Sequence, residues 1–288
     1  MVSRLLAAFA VLAPVVGRAA GDPAEEAARA LVQLRSHRNY AWETTVTPSP
    51  FVTTESFAPA FPDRDSPVTP PATNPVLQLI SGTTQQDGTT VMSAPVGPRA
   101  GIRDYSIRAV WHDGRAAAET HLGWLTPAQL KSCCGSAIDA KPGPQVMLPH
   151  GATVSALTYF SKGLMLVALA PPHQEIAAAL ARANPPVVAD RHLVATLHPE
   201  IARQLLLELH VPPAELLGEA EGSISLWLAG GEIRNYEITI EGDLRPLAGA
   251  SANAHVRHVR LVKTTEIKKF DEKDAVVPAE ALRQLEVE

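Results

Sequence analysis

Cysteine is nearly absent: the 288 residues hold two, Cys133 and Cys134, side by side. Neighbouring Cα atoms lie about 3.8 Å apart, short of the roughly 4.4–6.8 Å that a disulfide spans, so a bridge between them strains the backbone. A framework of disulfides is excluded. Three states stay open for the pair: a strained vicinal disulfide, two thiols, or a link to another molecule. Catalytic and metal signatures are missing as well. There is no C-x-x-C, no G-x-S-x-G elbow and no H-E-x-x-H helix, and Ser132 and Ser136 have no base nearby in sequence. In a strand His255 and His258 would point to opposite faces, and His192 and His198 straddle a strand-to-helix junction, so neither pair makes a metal site. No metal or cofactor is expected, and no enzyme.

Positive charge is short too, with 25 Lys and Arg against 30 Asp and Glu. The phosphates of a nucleic acid would be repelled on average, which removes nucleic acid as a partner. Long apolar runs are lacking. Leu164 to Ala170 stops at Pro171-Pro172, and Leu5 to Val16 is about 12 residues, well under the ~20 that a helix needs to span a bilayer. The latter run follows Arg4 and precedes Gly17-Arg18-Ala19, the three-part layout of a secretory signal peptide over residues 1–19. The expected product is periplasmic or secreted. It has no cysteine directly after the leader to carry a lipid, and it forms a single domain over 22–288.

What is present is mostly strand and helix grammar. Asp22-Pro23-Ala24-Glu25 opens a helix with a cap, a proline and a capping-box acid, and Ala27, Ala28, Leu31 and Leu34 give it an apolar face. Tyr40, Trp42, Thr44 and Val46 alternate as a strand does. Eight prolines within residues 48–75 remove backbone donors, so this stretch is a loop insertion. Val76 to Ser81 and Thr89 to Ser93 form strands around Asp87-Gly88, while Tyr105 to Trp111 and Ala116 to Glu119 do so around Asp113-Gly114.

Thr126-Pro127-Ala128-Gln129 repeats the capping pattern, and helices are expected over 152–170, 174–183 and 199–209, with one strand over 187–197. From residue 222 strands return. Ile224, Leu226 and Leu228 share a face, Ala229-Gly230-Gly231 turns, and Tyr236, Ile238 and Ile240 share the face of the next strand. A last helix starts at Pro278, with Leu282 and Leu285 facing inward. Strands, then helices, then strands of one sheet is the order of an α+β domain. His255, Arg257, His258, Arg260, Lys263, Lys268 and Lys269 form a basic stretch, expected as a solvated strand face or as a peripheral contact with anionic lipid.

Three stretches carry a family resemblance: Val110-Trp111-His112-Asp113-Gly114-Arg115 with Gly123-Trp124-Leu125-Thr126, Gly222 to Leu228, and Thr264-Thr265-Glu266-Ile267 with Val277-Pro278-Ala279-Glu280-Ala281. They resemble exported bacterial proteins of the LolA/LppX-like lipoprotein-localisation superfamily. The resemblance implies a strongly curved antiparallel sheet, an unclosed half-barrel, with helices on or across its concave face. It also implies a non-enzymatic carrier of a lipid acyl chain or lipoprotein. An envelope sensor or scaffold that binds a partner protein through the same fold is the alternative, and an exported hydrolase comes last. Strand parity gives the expected ligand-binding wall: Trp42, Leu79, Val91, Trp111, Leu226, Ile238 and Ile240.

Overall fold

The computed structural model describes residues 22–48, 78–95, 106–139, 145–147, 153–209, 214–246 and 257–286. The leader at 1–19, the proline-rich insertion beyond Pro48 and His255 lie outside them. Helix α1 (Pro23–Ser36) starts as its sequence dictates: the Asp22 carboxylate accepts the Ala24 N–H at 3.0 Å, and Ala27, Ala30 and Leu34 are buried. Strands β1 (Asn39–Pro48), β2 (Gln78–Gln85), β3 (Thr90–Pro95), β4 (Ser106–His112), β5 (Arg115–Thr120) and β6 (Gly123–Leu125) follow as a meander, each pairing antiparallel with the next. Asp113 and Gly114 both adopt positive φ, +48° and +79°, which is the turn that brings β5 back beside β4.

Helix α2 (Pro127–Asp139) has a reciprocal cap. The Thr126 N–H donates to the Gln129 side chain at 2.8 Å, and the Gln129 N–H reaches back to the Thr126 hydroxyl. A two-stranded ribbon, β7 (Gln145–Met147) with β8 (Thr153–Ser155), leads into α3 (Ala156–Ala168) and α4 (Pro172–Leu180). The helix expected from 152 therefore begins after a short strand, as the β-branched Thr153 and Val154 favour. Residues 187–197 form two strands where one was expected: β9 (Val187–Ala189) and β10 (His192–Thr196), turned at Asp190-Arg191, both with positive φ. Helix α5 (Pro199–Leu209) follows. The long strands β11 (Ala214–Ala229), β12 (Glu232–Pro246) and β13 (Arg257–Phe270) then form a second meander. β11 begins eight residues before 222. Its early part was hidden by a register shift between Leu217 and Glu221, where Gly218 takes φ +83° and the alternation breaks.

The eleven strands make one antiparallel sheet in the order β6-β5-β4-β3-β2-β1-β13-β12-β11-β10-β9. β1 pairs with β13, so the first and last strands lie side by side in the middle, while β6 and β9 remain as edges and the sheet is an open half-barrel. Buried side chains of α1 to α5 join those of one sheet face in a continuous core, including Leu34, Leu130, Tyr159, Ile176 and Leu206. The last helix, α6 (Ala279–Glu286), lies on the other face. Its Ala281 and Leu285 pack on Val110, Ala117 and Trp124, a separate cluster, and the Arg115 guanidinium donates to the Leu285 carbonyl at 2.8 Å. Leu282, expected to face inward, is 37% exposed.

Candidate functional site

Five of the seven wall residues meet on the face that the helices cover. Trp42, Leu226, Ile238 and Ile240 are buried in the main core, and Trp111 packs against it half-buried. Leu79 and Val91 belong to the opposite face: Leu79 is 41% exposed, and Val91 packs in the α6 cluster. Each has an apolar neighbour, Ile80 and Met92, which takes the inward position instead. The five share one core cluster with buried side chains of α1 to α5.

Its texture varies along the sheet. Under α3 the floor is made of small residues, Ala94, Ala109, Ala116 and Ala118, with Met92 and Ile107 between them. Gly163 of α3 lies close to this floor, where an added Cβ would stand 3.6 Å from the Cβ of Ala118 and 3.2 Å from Leu130. Lys162 donates to the Pro95 carbonyl at 2.6 Å, and its partial burial lowers its pKa. On β1 the indole of Trp42 lies across Gly82 of β2. A Cβ there would fall 2.3 Å from the ring, and the indole N–H donates to the Thr84 hydroxyl at 3.1 Å.

Under α4 the inner face is polar. Lys263, 3% exposed, projects from β13 between Leu261 and Thr265, and its ammonium meets the Glu175 carboxylate of α4. The Tyr236 hydroxyl donates to the other Glu175 oxygen at 2.5 Å, and burial, then the Glu175 charge, push the phenol pKa well up. Two residues earlier, the buried Tyr40 hydroxyl contacts Nδ1 of His173 at 2.7 Å and accepts the His173 backbone N–H at 3.3 Å. Burial, with the Arg35 charge adding to it, lowers the His173 pKa to about 4, so the ring is neutral at physiological pH. Burial also raises the Tyr40 pKa. Thr44 and Thr265 share a hydrogen bond of 2.6 Å alongside. This network ties α4 to β1, β12 and β13. Sequence reasoning missed it because Lys263 was grouped with its charged neighbours, although its parity with Leu261 and Ile267 assigns it to the inner face.

Four further members of the basic stretch, His258, Arg260, Lys268 and Lys269, have acidic neighbours. His258 bonds Asp243 at 3.0 Å, Lys268 lies 3.0 Å from Glu43 and 2.9 Å from Glu266, and Lys269 is 3.1 Å from Glu272. Arg260 lies 4.0 Å from Glu241. Cys133 and Cys134 are successive residues within α2, Cys134 buried and Cys133 half-buried.

No protein-family model and no curated protein matches this sequence. Among solved structures, the chain is similar to the lipoprotein LppX of Mycobacterium tuberculosis at 6% identity and a TM-score of 0.35, covering 88% of this chain and 98% of that one. It is similar to LprF of Mycobacterium bovis at 8% identity and a TM-score of 0.35, covering 90% and 97%. A LolA superfamily protein of Nitrosomonas europaea is similar at 7% identity and a TM-score of 0.32, covering 88% and 95%. The assignment of an open α+β half-barrel stands on this chain's own strand order and pairing.

Proposed function

We propose that the protein is an exported, non-enzymatic binding protein that holds a lipid or lipoprotein acyl chain between the alanine floor of β3–β5 and α3. The observation that carries this reading is the floor itself: Ala94, Ala109, Ala116 and Ala118 form a shallow apolar surface under a helix whose Tyr159, Phe160 and Leu166 are apolar or aromatic. The alanines present a shallow surface, so lifting α3 by the thickness of an alkyl chain draws it off Met92 and Ile107 and breaks the Lys162 bond to Pro95, but leaves no deep interdigitation to undo over the alanines themselves.

Energetics favour a sandwich over expulsion of the helix. Burying a chain of about 15 carbons contributes roughly 12 kcal/mol gross at ~0.8 kcal/mol per CH₂. Full displacement of α3 would expose its own apolar side and offset that gain. A chain lying between floor and helix leaves both surfaces covered. α4 stays in place, since Glu175 and His173 fasten it to the sheet.

Protein produced with its own leader and analysed by native mass spectrometry should carry a lipid mass that organic extraction removes. A ligand-free protein that also takes up no fluorescent fatty acid would overturn the reading. Ala109→Leu and Ala118→Leu, which raise the floor, should lower uptake while α4-side substitutions leave it intact.

A further inference from the structure

The end of α1, the turn between β2 and β3 and the start of α4 enclose a cleft of about 110 Å³. Arg35, Gln86, Asp87 and Gln174 line it from the solvent side, and the buried Tyr40 and His173 form its inner wall. A wider hollow of about 420 Å³ shares Gln86 and Asp87 with it and continues towards Arg38 and Asp274.

Two charged residues of the cleft lining, Arg35 and Asp87, have no ion-pair partner among the described residues. Arg38 pairs with Asp274 at 2.5 Å, and His37 sits 3.0 Å from Asp271 and 3.5 Å from Glu232. Asp87 accepts the Thr89 N–H at 2.8 Å, which engages its carboxylate within its own turn. Arg35 has no hydrogen-bonding or ion-pair partner among the described residues, yet its charge acts on both groups of the inner wall, opposing protonation of His173 and favouring ionisation of Tyr40. Arg35 is thereby open to an anion, while the Asp87 carboxylate, engaged by the Thr89 N–H, opposes one. A planar fork of donors suits the oxygens of a phosphate or carboxylate. The neutral amides of Gln86 and Gln174 add donors without competing charge. The Tyr40 hydroxyl holds the His173 ring in place, through Nδ1 and through the His173 backbone N–H that it accepts.

We propose that this cleft binds an oxyanion, a phosphate or carboxylate group, with Arg35 as its charged partner. The site is separate from the alanine floor and does not depend on the acyl-chain reading. Its source is either a free anion or the head of a ligand whose apolar part lies elsewhere on the protein.

Titration of the full-length mature protein with inorganic phosphate, at constant ionic strength in chloride, should shift the imidazole NMR signals of His173 saturably. Arg35→Gln, an exposed change that leaves the core untouched, should weaken the phosphate affinity about tenfold or more, as expected for loss of a charge-assisted pair. Asp87→Asn should strengthen it. Absence of a saturable phosphate shift, or equal affinity in Arg35→Gln, overturns the site. Dodecyl phosphate and dodecanol distinguish the sources. Dodecyl phosphate binding more tightly than inorganic phosphate assigns the cleft to a lipid head, and equal binding assigns it to a free anion. Dodecanol, which has no anion, tests the apolar site alone, so failure of either proposal is visible without the other.

Discussion

Glu175→Gln is the sharpest test of how α4 is fastened. The substitution keeps the shape and an acceptor oxygen for the Tyr236 hydroxyl but removes the charge that matches Lys263. The Lys263 side chain is only 4% exposed and that of Glu175 15%, so water cannot take over. Breaking a pair of this kind leaves one charge buried alone and costs about 3–5 kcal/mol. For a domain of this size that is a fall in Tm of roughly 6–20 °C, at ~2–4 °C per kcal/mol.

Lys263→Met should cost less, since the remaining carboxylate keeps the Tyr236 hydrogen bond and borders solvent. The double variant Glu175→Gln with Lys263→Met removes both charges and should recover most of the loss, because replacing a buried pair by neutral groups of similar volume is close to neutral. Urea unfolding of the four proteins gives the coupling directly, with midpoints compared at constant m. Single variants within about 0.5 kcal/mol of the parent, or effects that simply add, would refute the idea that this pair fastens the helix.

Other expectations follow from single contacts. Gly82→Ala places a methyl inside the Trp42 ring and should destabilise by about 1–3 kcal/mol with a shift in tryptophan emission; thermal unfolding that matches the parent would contradict the packing. Leu285→Ala should cost about 2–5 kcal/mol and change the Trp124 environment, whereas Leu282→Ala, half-exposed, should cost little; equal effects in differential scanning calorimetry would misplace α6. His173 binds its proton less readily when folded than the ~6.5 of the unfolded chain, so its contribution of about 3 kcal/mol is complete above pH 6.5 and is lost as the pH falls towards about 4. His173→Gln should flatten that part of the urea-midpoint profile. Asp271 is held below its ordinary value by hydrogen bonds from His37 and then Arg38, and Asp274 by Arg38 and then Asn39. Their stabilising effect is present above about pH 4 and disappears below it, a step that Asp274→Asn should reduce in the same titration.

Alternation and turns made most of the sheet readable. The Asp113-Gly114 and Gly230-Gly231 turns fixed two hairpins, and inward positions such as Trp42, Leu226 and Ile238 followed from parity. Leu79 and Val91 did not, because each stands beside another apolar residue, and a pair of apolar neighbours does not say which of them points inward. Val91 is apolar for a reason beyond its own strand: α6, nearly two hundred residues later, covers the outer face there. The fastening of α4 was illegible for a similar cause. Glu175 and Lys263 are separated by 88 positions, and only the folded sheet brings them together. Composition suggested a greasy container, and the chain places a charged tie in one half of it.

The pairing of β1 with β13 has a consequence for how the molecule is made. Ribosomes deliver a chain from its beginning, so β1 emerges long before the strand that completes its hydrogen bonding. Until β13 arrives, β1 and β12 each present an unpaired edge, although β1 to β6 already pair among themselves. A product cut short before residue 257 would therefore be left with an open seam through its middle.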